Sequence, residues 1–218
     1  MIEALDHMPP RKLINPLFSF LYSGDPQIKW AAVKAMGQVV STLADLDIEA
    51  ARVVMRRLMW NLNDESGGIG WGSPEAMGEI LACHEGLARE YAHIMISYMK
   101  EDGNYLELEL LQRGLLWGIA RAFSRRPGVF KEAAPLVMPY LQSQDASVRG
   151  LAAWVLGGME FEPALKHLEP LTADDTLIEI YPESQLVRCR VKDMAEGAIK
   201  SLGSISNKKV KTGLENVI

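Results

Sequence analysis

The chain has 218 residues and a mass of 24.2 kDa, with 48% hydrophobic and 23% charged residues: enough apolar material for one or two packed domains, and too much for a disordered chain. A formal charge of -5 and a pI near 5.5 argue against a general nucleic-acid binder, and two cysteines, Cys83 and Cys189, are too few for a disulfide framework or a zinc cluster. No stretch has the length of a membrane span, and Met1–Asn15 lacks the cationic-then-apolar layout of a secretory leader, so the expectation is a cytoplasmic protein away from membranes.

In chain order, Met1–Pro10 reads as a loose lead or a short capping turn, and Leu13–Leu21 as a first apolar helix. Asp25-Pro26-Gln27-Ile28-Lys29 follows, with Asp25 as N-cap and Pro26 as the first helical residue. Ile28, Ala32 and Ala35 are spaced 0, 4, 7, with Gly37 at +9, which predicts one buried face. After Ala51–Leu62, Asp64-Glu65 lies 39 residues beyond Asp25 and marks a second copy of the phrase. Ser66-Gly67-Gly68-Ile69-Gly70-Trp71-Gly72-Ser73-Pro74 then breaks the helical pattern, and a helix should restart with Ser73 as N-cap and Pro74 inside. These glycines are no phosphate loop, because no strand precedes them and no lysine follows.

Leu87–Met99 is the next apolar helix, and Leu111, Leu115, Gly118 and Ala120 give a blurred third copy that ends at Arg125-Arg126-Pro127. Phe130–Leu141 leads into Asp145-Ala146-Ser147-Val148-Arg149, the first phrase restated 120 residues later, with Val148, Ala152 and Val155 at 0, 4, 7 and Gly157 at +9. After Pro163–Leu171, residues 176–191 alternate β-branched and polar side chains around Pro182–Gln185 and predict a hairpin, with Arg188 and Arg190 on one face and Val187, Cys189 and Val191 on the other. Val191, Ala195 and Ala198 form a fifth copy, and 204–218 is a polar, mobile tail.

The two Asp-led phrases, with a period near 40, make each unit a helix pair that needs its neighbours to complete a core. On these phrases the chain resembles the HEAT-like, armadillo-type repeat family, and a group of small bacterial HEAT-like proteins within it, over residues 10–203. The resemblance implies an all-α superhelix of about five helix pairs, 1–203 as a single solenoid, with second helices lining a concave groove. Related branches include bilin-lyase-type repeats and DNA-alkylation-repair proteins, and neither has a catalytic signature here to carry over.

Glu75 and Glu79 lie one helical turn apart, so both carboxylates share a face. They could form part of a binding site or simply a solvated acidic helix. Arg113, Trp117 and Arg121 place an aromatic between two guanidiniums on another helix face, a composition typical of interface anchors, although a tryptophan here can equally wedge between repeats. Trp30 and Trp154 fall off the buried stripe, and Lys29 and Arg149 read as ladder or helix-end contacts of the repeat. No catalytic residue, metal site or cofactor is assigned.

The favoured reading is a non-enzymatic protein-interaction scaffold with a protein partner, using the groove and the 66–74 loop. A small-ligand protein or enzyme with a site around Trp71, Glu75, Glu79 and Arg113 is the alternative. Nucleic-acid binding related to DNA repair comes third, because residues 1–109 hold 9 Lys/Arg against 16 Asp/Glu (net -7) and offer no continuous positive track. Pairing of a terminal repeat with a second copy of the chain stays open.

Overall fold

Helices start where the chain supplies caps and fixed φ. Asp25 accepts a hydrogen bond from the Gln27 N–H at 2.8 Å and Asp47 one from the Ala50 N–H at 3.0 Å, so α2 (Pro26–Leu46) and α3 (Ile48–Leu62) each begin on an aspartate. The structure is a computed structural model that describes residues 8–63, 70–182 and 185–215, with side chains as far as Ser204. The Asp64-Glu65 phrase, residues 66–69 of the glycine loop and side chains 205–218 of the tail lie outside the described residues. The chain is all-α with one small antiparallel hairpin, and its helix pairs stack as in a helical-repeat architecture. It divides into two compact units, Met1–Lys131 with Tyr181–Leu186, and Glu132–Ile180 with Val187–Ile218.

In the first unit, α1 (Pro10–Leu21) packs on α2, and α4 (Ser73–Cys83) packs on both α2 and α3. The next pair is α5 (Glu85–Ser97) and α6 (Glu109–Arg125), followed by the short α7 (Pro127–Phe130). α4 also packs against α6, and every residue from 73 to 82 is buried. Met77, Ile80 and Leu81 are fully enclosed, each contributing about 1.5–3 kcal/mol of burial. Glycines permit this close sandwich. A Cβ on Gly78 would lie 2.2 Å from Gly118 Cα on α6, and one on Gly37 of α2 would lie 2.5 Å from Glu79 Cγ.

The start of α4 differs from the expectation. Its N-cap is Gly72, not Ser73: Gly72 takes the left-handed conformation (φ +75°), and a Cβ there would lie 3.0 Å from the Leu21 carbonyl. Ser73 is the first helical residue, and its hydroxyl is buried with no hydrogen-bond partner among the described residues.

In the second unit, the stretches expected as long first helices are broken. Residues 131–142 run as 3-10 turns around α8 (Ala134–Val137), and residues 162–173 as 3-10 turns around α10 (Leu165–Leu168). Pro135, Pro139, Pro163 and Pro170 interrupt the i→i-4 ladder there and hold the chain in single turns. α9 (Ala146–Gly158) is capped by Asp145, whose carboxylate accepts from the Val148 N–H at 2.9 Å. α9 packs on α11 (Val191–Glu215), and a Cβ on Gly157 would stand 2.7 Å from Ala198 Cα.

The hairpin pairs β1 (Leu177–Ile180) with β2 (Val187–Arg190), in register Leu177↔Arg190 to Ile180↔Val187. Ile178 and Ile180 face the core, while Leu177, Glu179, Arg188 and Arg190 face outward.

Candidate functional site

Because α4 has neighbours on every side, its two carboxylates face protein. Glu75 is 4% and Glu79 3% exposed. Burying an ionised carboxylate is costly unless it is paired, and the flanking helices supply the pairs. From α2, Lys29 Nζ donates to Glu75 Oε1 at 2.7 Å and Lys34 Nζ to Glu79 Oε2 at 3.0 Å. From α6, Arg121 grips Glu79 with two bonds, Nε to Oε2 at 2.7 Å and Nη2 to Oε1 at 3.0 Å.

Burial alone raises the Glu79 pKa, but the hydrogen bonds from Arg121 and Lys34 outweigh it and hold the carboxyl below its ordinary range. The Cys83 thiol, one turn further on, is pushed up by burial and by the Glu79 charge. The second oxygen of Glu75 has no hydrogen-bond partner among the described residues and rests on α6, where a Cβ at position 114 would lie 2.4 Å from it.

An aromatic cluster adjoins this network. The Trp30 and Trp117 rings have centroids 4.7 Å apart at 56°, and Trp30 stacks on Tyr181 at 4.5 Å and 6°. Lys29 Nζ lies 5.5 Å from the Trp30 ring and Lys34 Nζ 5.5 Å from that of Trp117, so the two lysines bridge carboxylates and rings. The Trp117 indole N–H donates to the Tyr181 carbonyl, and burial raises the Tyr181 hydroxyl pKa. All of these residues belong to the first unit. Beside the stack opens a cleft of about 780 Å³ lined by Asp25, Pro26, Gln27, Trp30, Tyr181, Gln185 and Leu186.

Of the residues singled out from sequence, the structure brings together Glu75, Glu79, Trp117 and Arg121. Trp117 is only 2% exposed, so its ring faces the network and not solvent. Arg113 is half-buried one turn before Trp117 and precedes the Gly114 that receives Glu75. Trp71, 41% exposed, makes no ring contact or hydrogen bond to the cluster among the described residues.

Lys34 and Tyr181 carry no site expectation from sequence, and the repeat phrase predicts a ladder role for Lys29. Spacing gives no shared-face signal for the lysines, since 29 and 34 are five residues apart on α2, about 1.4 turns, whereas the two glutamates on α4 are four apart. Tyr181 has none either, being 151 residues from Trp30. Among the described residues, no group of three or more His, Cys, Asp or Glu converges as a metal site. No helix among them is long and apolar enough to cross a membrane.

No known protein-family profile matches the chain. An uncharacterised protein of Archaeoglobus fulgidus is 25% identical over 199 residues, spanning 87% of this chain and 95% of the relative. Among solved structures, the crystal structure of an engineered protein from the Northeast Structural Genomics Consortium is similar at a TM-score of 0.53 and 15% identity, covering 94% of this chain and 85% of that one. This likeness is one of fold.

Proposed function

We propose that this chain is a non-enzymatic protein-interaction scaffold built from about five HEAT-like, armadillo-type helix pairs, and that it receives a protein partner in the cleft beside the Trp30–Tyr181 stack, with Trp71 as a second anchor. The observation that carries the reading is the cleft itself: about 780 Å³, open to solvent, with an aromatic wall and amide and carboxylate groups around it. That is the composition of a recognition surface, with apolar area for affinity and a few polar groups for orientation. The charged network behind the wall has a supporting role. Glu79 is held ionised by donors from two helices, an arrangement that stiffens a surface and opposes the proton exchange that general acid–base catalysis needs.

The cleft also falls within the range of small-molecule sites, roughly 300–1,000 Å³, which favours a small ligand as the second reading. Affinity capture from native lysate separates the two. Wild type is compared with a Gln27→Arg/Leu186→Arg variant, altered only at exposed cleft positions, and with Trp71→Ala, each first shown to be folded. A protein held by wild type and lost by the cleft variant supports the scaffold reading. Identical capture by wild type and the cleft variant overturns the cleft as the interface. Capture of no protein by any of the three moves the small-ligand reading ahead.

A further inference from the structure

We infer that the cleft seats an arginine side chain presented by an extended, basic segment of the partner protein, with the guanidinium against the Trp30–Tyr181 wall and facing the Asp25 carboxylate. The inference rests on the reading of this cleft as a protein-recognition surface and adds the chemistry of its occupant.

Three observations select the charge. First, no Lys, Arg or His is among the described residues that line the cleft, and the sequence from 181 to 186 contains none. Lys29, the next base along α2, lies 5.5 Å from the Trp30 ring, and its charge is paired with Glu75. Second, Asp25 is exposed and has no ion pair among the described residues. Its Oδ1 caps the Gln27 N–H at 2.8 Å, which leaves acceptor capacity on the carboxylate facing solvent. The other carboxylates of the same surroundings, Glu75 and Glu79, are each paired with bases from within the chain.

Third, the first two positions of α2 offer an anion no donor. Pro26 has no N–H, the Gln27 N–H is taken by Asp25, and the Asp25 charge repels a second anion. The surplus of acid over base in residues 1–109, net -7, attracts a basic segment at longer range.

The lining then favours arginine over lysine. A guanidinium is flat, lies against aromatic surface, and presents five donors in a fixed fork with no acceptor. The cleft offers matching acceptors: the free Asp25 oxygen and the side-chain carbonyls of Gln27 and Gln185. An ammonium is more strongly hydrated and has no plane to stack.

The test is an ¹H–¹⁵N NMR titration of the full chain, following the Trp30 indole cross-peak (assigned with Trp30→Phe) and the Gln185 side-chain amide. The probes are acetyl-Gly-Arg-Gly-amide, its citrulline counterpart, which is a neutral isostere, and acetyl-Gly-Lys-Gly-amide. The arginine peptide is expected to shift both signals saturably and to bind about five-fold tighter than the citrulline peptide, with a difference that shrinks as salt is added. Asp25→Asn keeps the helix cap, because asparagine caps as well as aspartate, and it is expected to erase the preference.

Equal binding of the arginine and citrulline peptides, or an undiminished preference in Asp25→Asn, overturns the charge assignment and leaves the cleft as a recognition surface. A lysine peptide that binds as tightly as arginine overturns the guanidinium assignment. Absence of any shift with all three probes overturns this inference, while the recognition reading of the cleft stands or falls with the lysate capture.

Discussion

The phrase Asp-x-x-(Ile/Val)-(Lys/Arg) occurs at the start of α2 and again at the start of α9, and the two copies behave differently beyond the helix cap. Both aspartates cap their helices, and in both a serine two residues earlier bonds the aspartate N–H at 3.2 Å, Ser23 in one and Ser143 in the other. Both glycines at +9 bring the helix against the following repeat, Gly37 on α4 and Gly157 on α11.

The central residues diverge. Val148 is fully buried, whereas Ile28, expected in the core by the same spacing, is 44% exposed. Arg149 bonds the Ser143 and Gln144 carbonyls at 2.8 and 3.0 Å and also Asp174, further along the chain, at 3.0 Å. Lys29 reaches the buried Glu75 on α4. A repeat motif therefore specifies where a helix starts and how closely the next one approaches. In both copies the cation pairs with a carboxylate further along the chain, and the two differ in how deeply that carboxylate lies: Glu75 is buried and Asp174 half-buried.

The largest contrast lies at the apolar position. Val148→Asp would bury an unpaired charge and is expected to cost about 4 kcal/mol or more, against about 0.5 kcal/mol or less for Ile28→Asp. Chemical denaturation of the two variants checks this, and equal losses would erase the distinction. Next come the glycines. Gly157→Ala drives a Cβ into Ala198 backbone and is expected to cost about 2–3 kcal/mol, while Gly37→Ala meets the Glu79 side chain and should cost about 1–2 kcal/mol. Thermal unfolding ranks them.

The two copies share an acidic limb of stability. Glu79 titrates below its ordinary range through Arg121 and Lys34, acting against burial. Asp174 also titrates below its range, through Thr176 and Arg149 acting against burial. For both, the unfolded chain binds the proton at higher pH. Each contribution is therefore complete above the ordinary carboxylate range and is lost as pH falls through the lowered folded value. Glu79→Gln should flatten the acid slope reported by Trp30 fluorescence, and Asp174→Asn that reported by amide exchange in α9. The smallest effect is at the caps. Asp25→Ala and Asp145→Ala should each lose about 1 kcal/mol, and the asparagine variants much less, as equilibrium denaturation would show.

Much of the local structure was legible. Aspartate caps, Arg125-Arg126-Pro127 as the end of α6, and the alternation that forms β1 and β2 all act through neighbours in sequence. Glu75 and Glu79 were readable as a shared face for the same reason. Their burial was not, because it depends on α2 and α6 closing over α4 through Gly37, Gly114 and Gly118. Ile28 departs from its predicted core position because spacing defines a face without saying whether anything covers its first turn. At α9 the 138–142 turn and β1 pack nearby, whereas Asp25, Pro26 and Gln27 line the cleft and Ile28 beside them stays exposed. Trp117 has the sequence surroundings of an anchor, and only the Tyr181 carbonyl, distant in sequence, accounts for its buried N–H.

The first copy's lysine is a half-buried strut between α2 and α4. A double-mutant cycle on Lys29→Met and Glu75→Gln, read by chemical denaturation at neutral pH, tests it most directly. A coupling of about 2 kcal/mol, with the double variant more stable than either single loss implies, is the predicted result. Additivity within about 0.5 kcal/mol would contradict it and return Lys29 to the exposed, local role that its sequence position suggests.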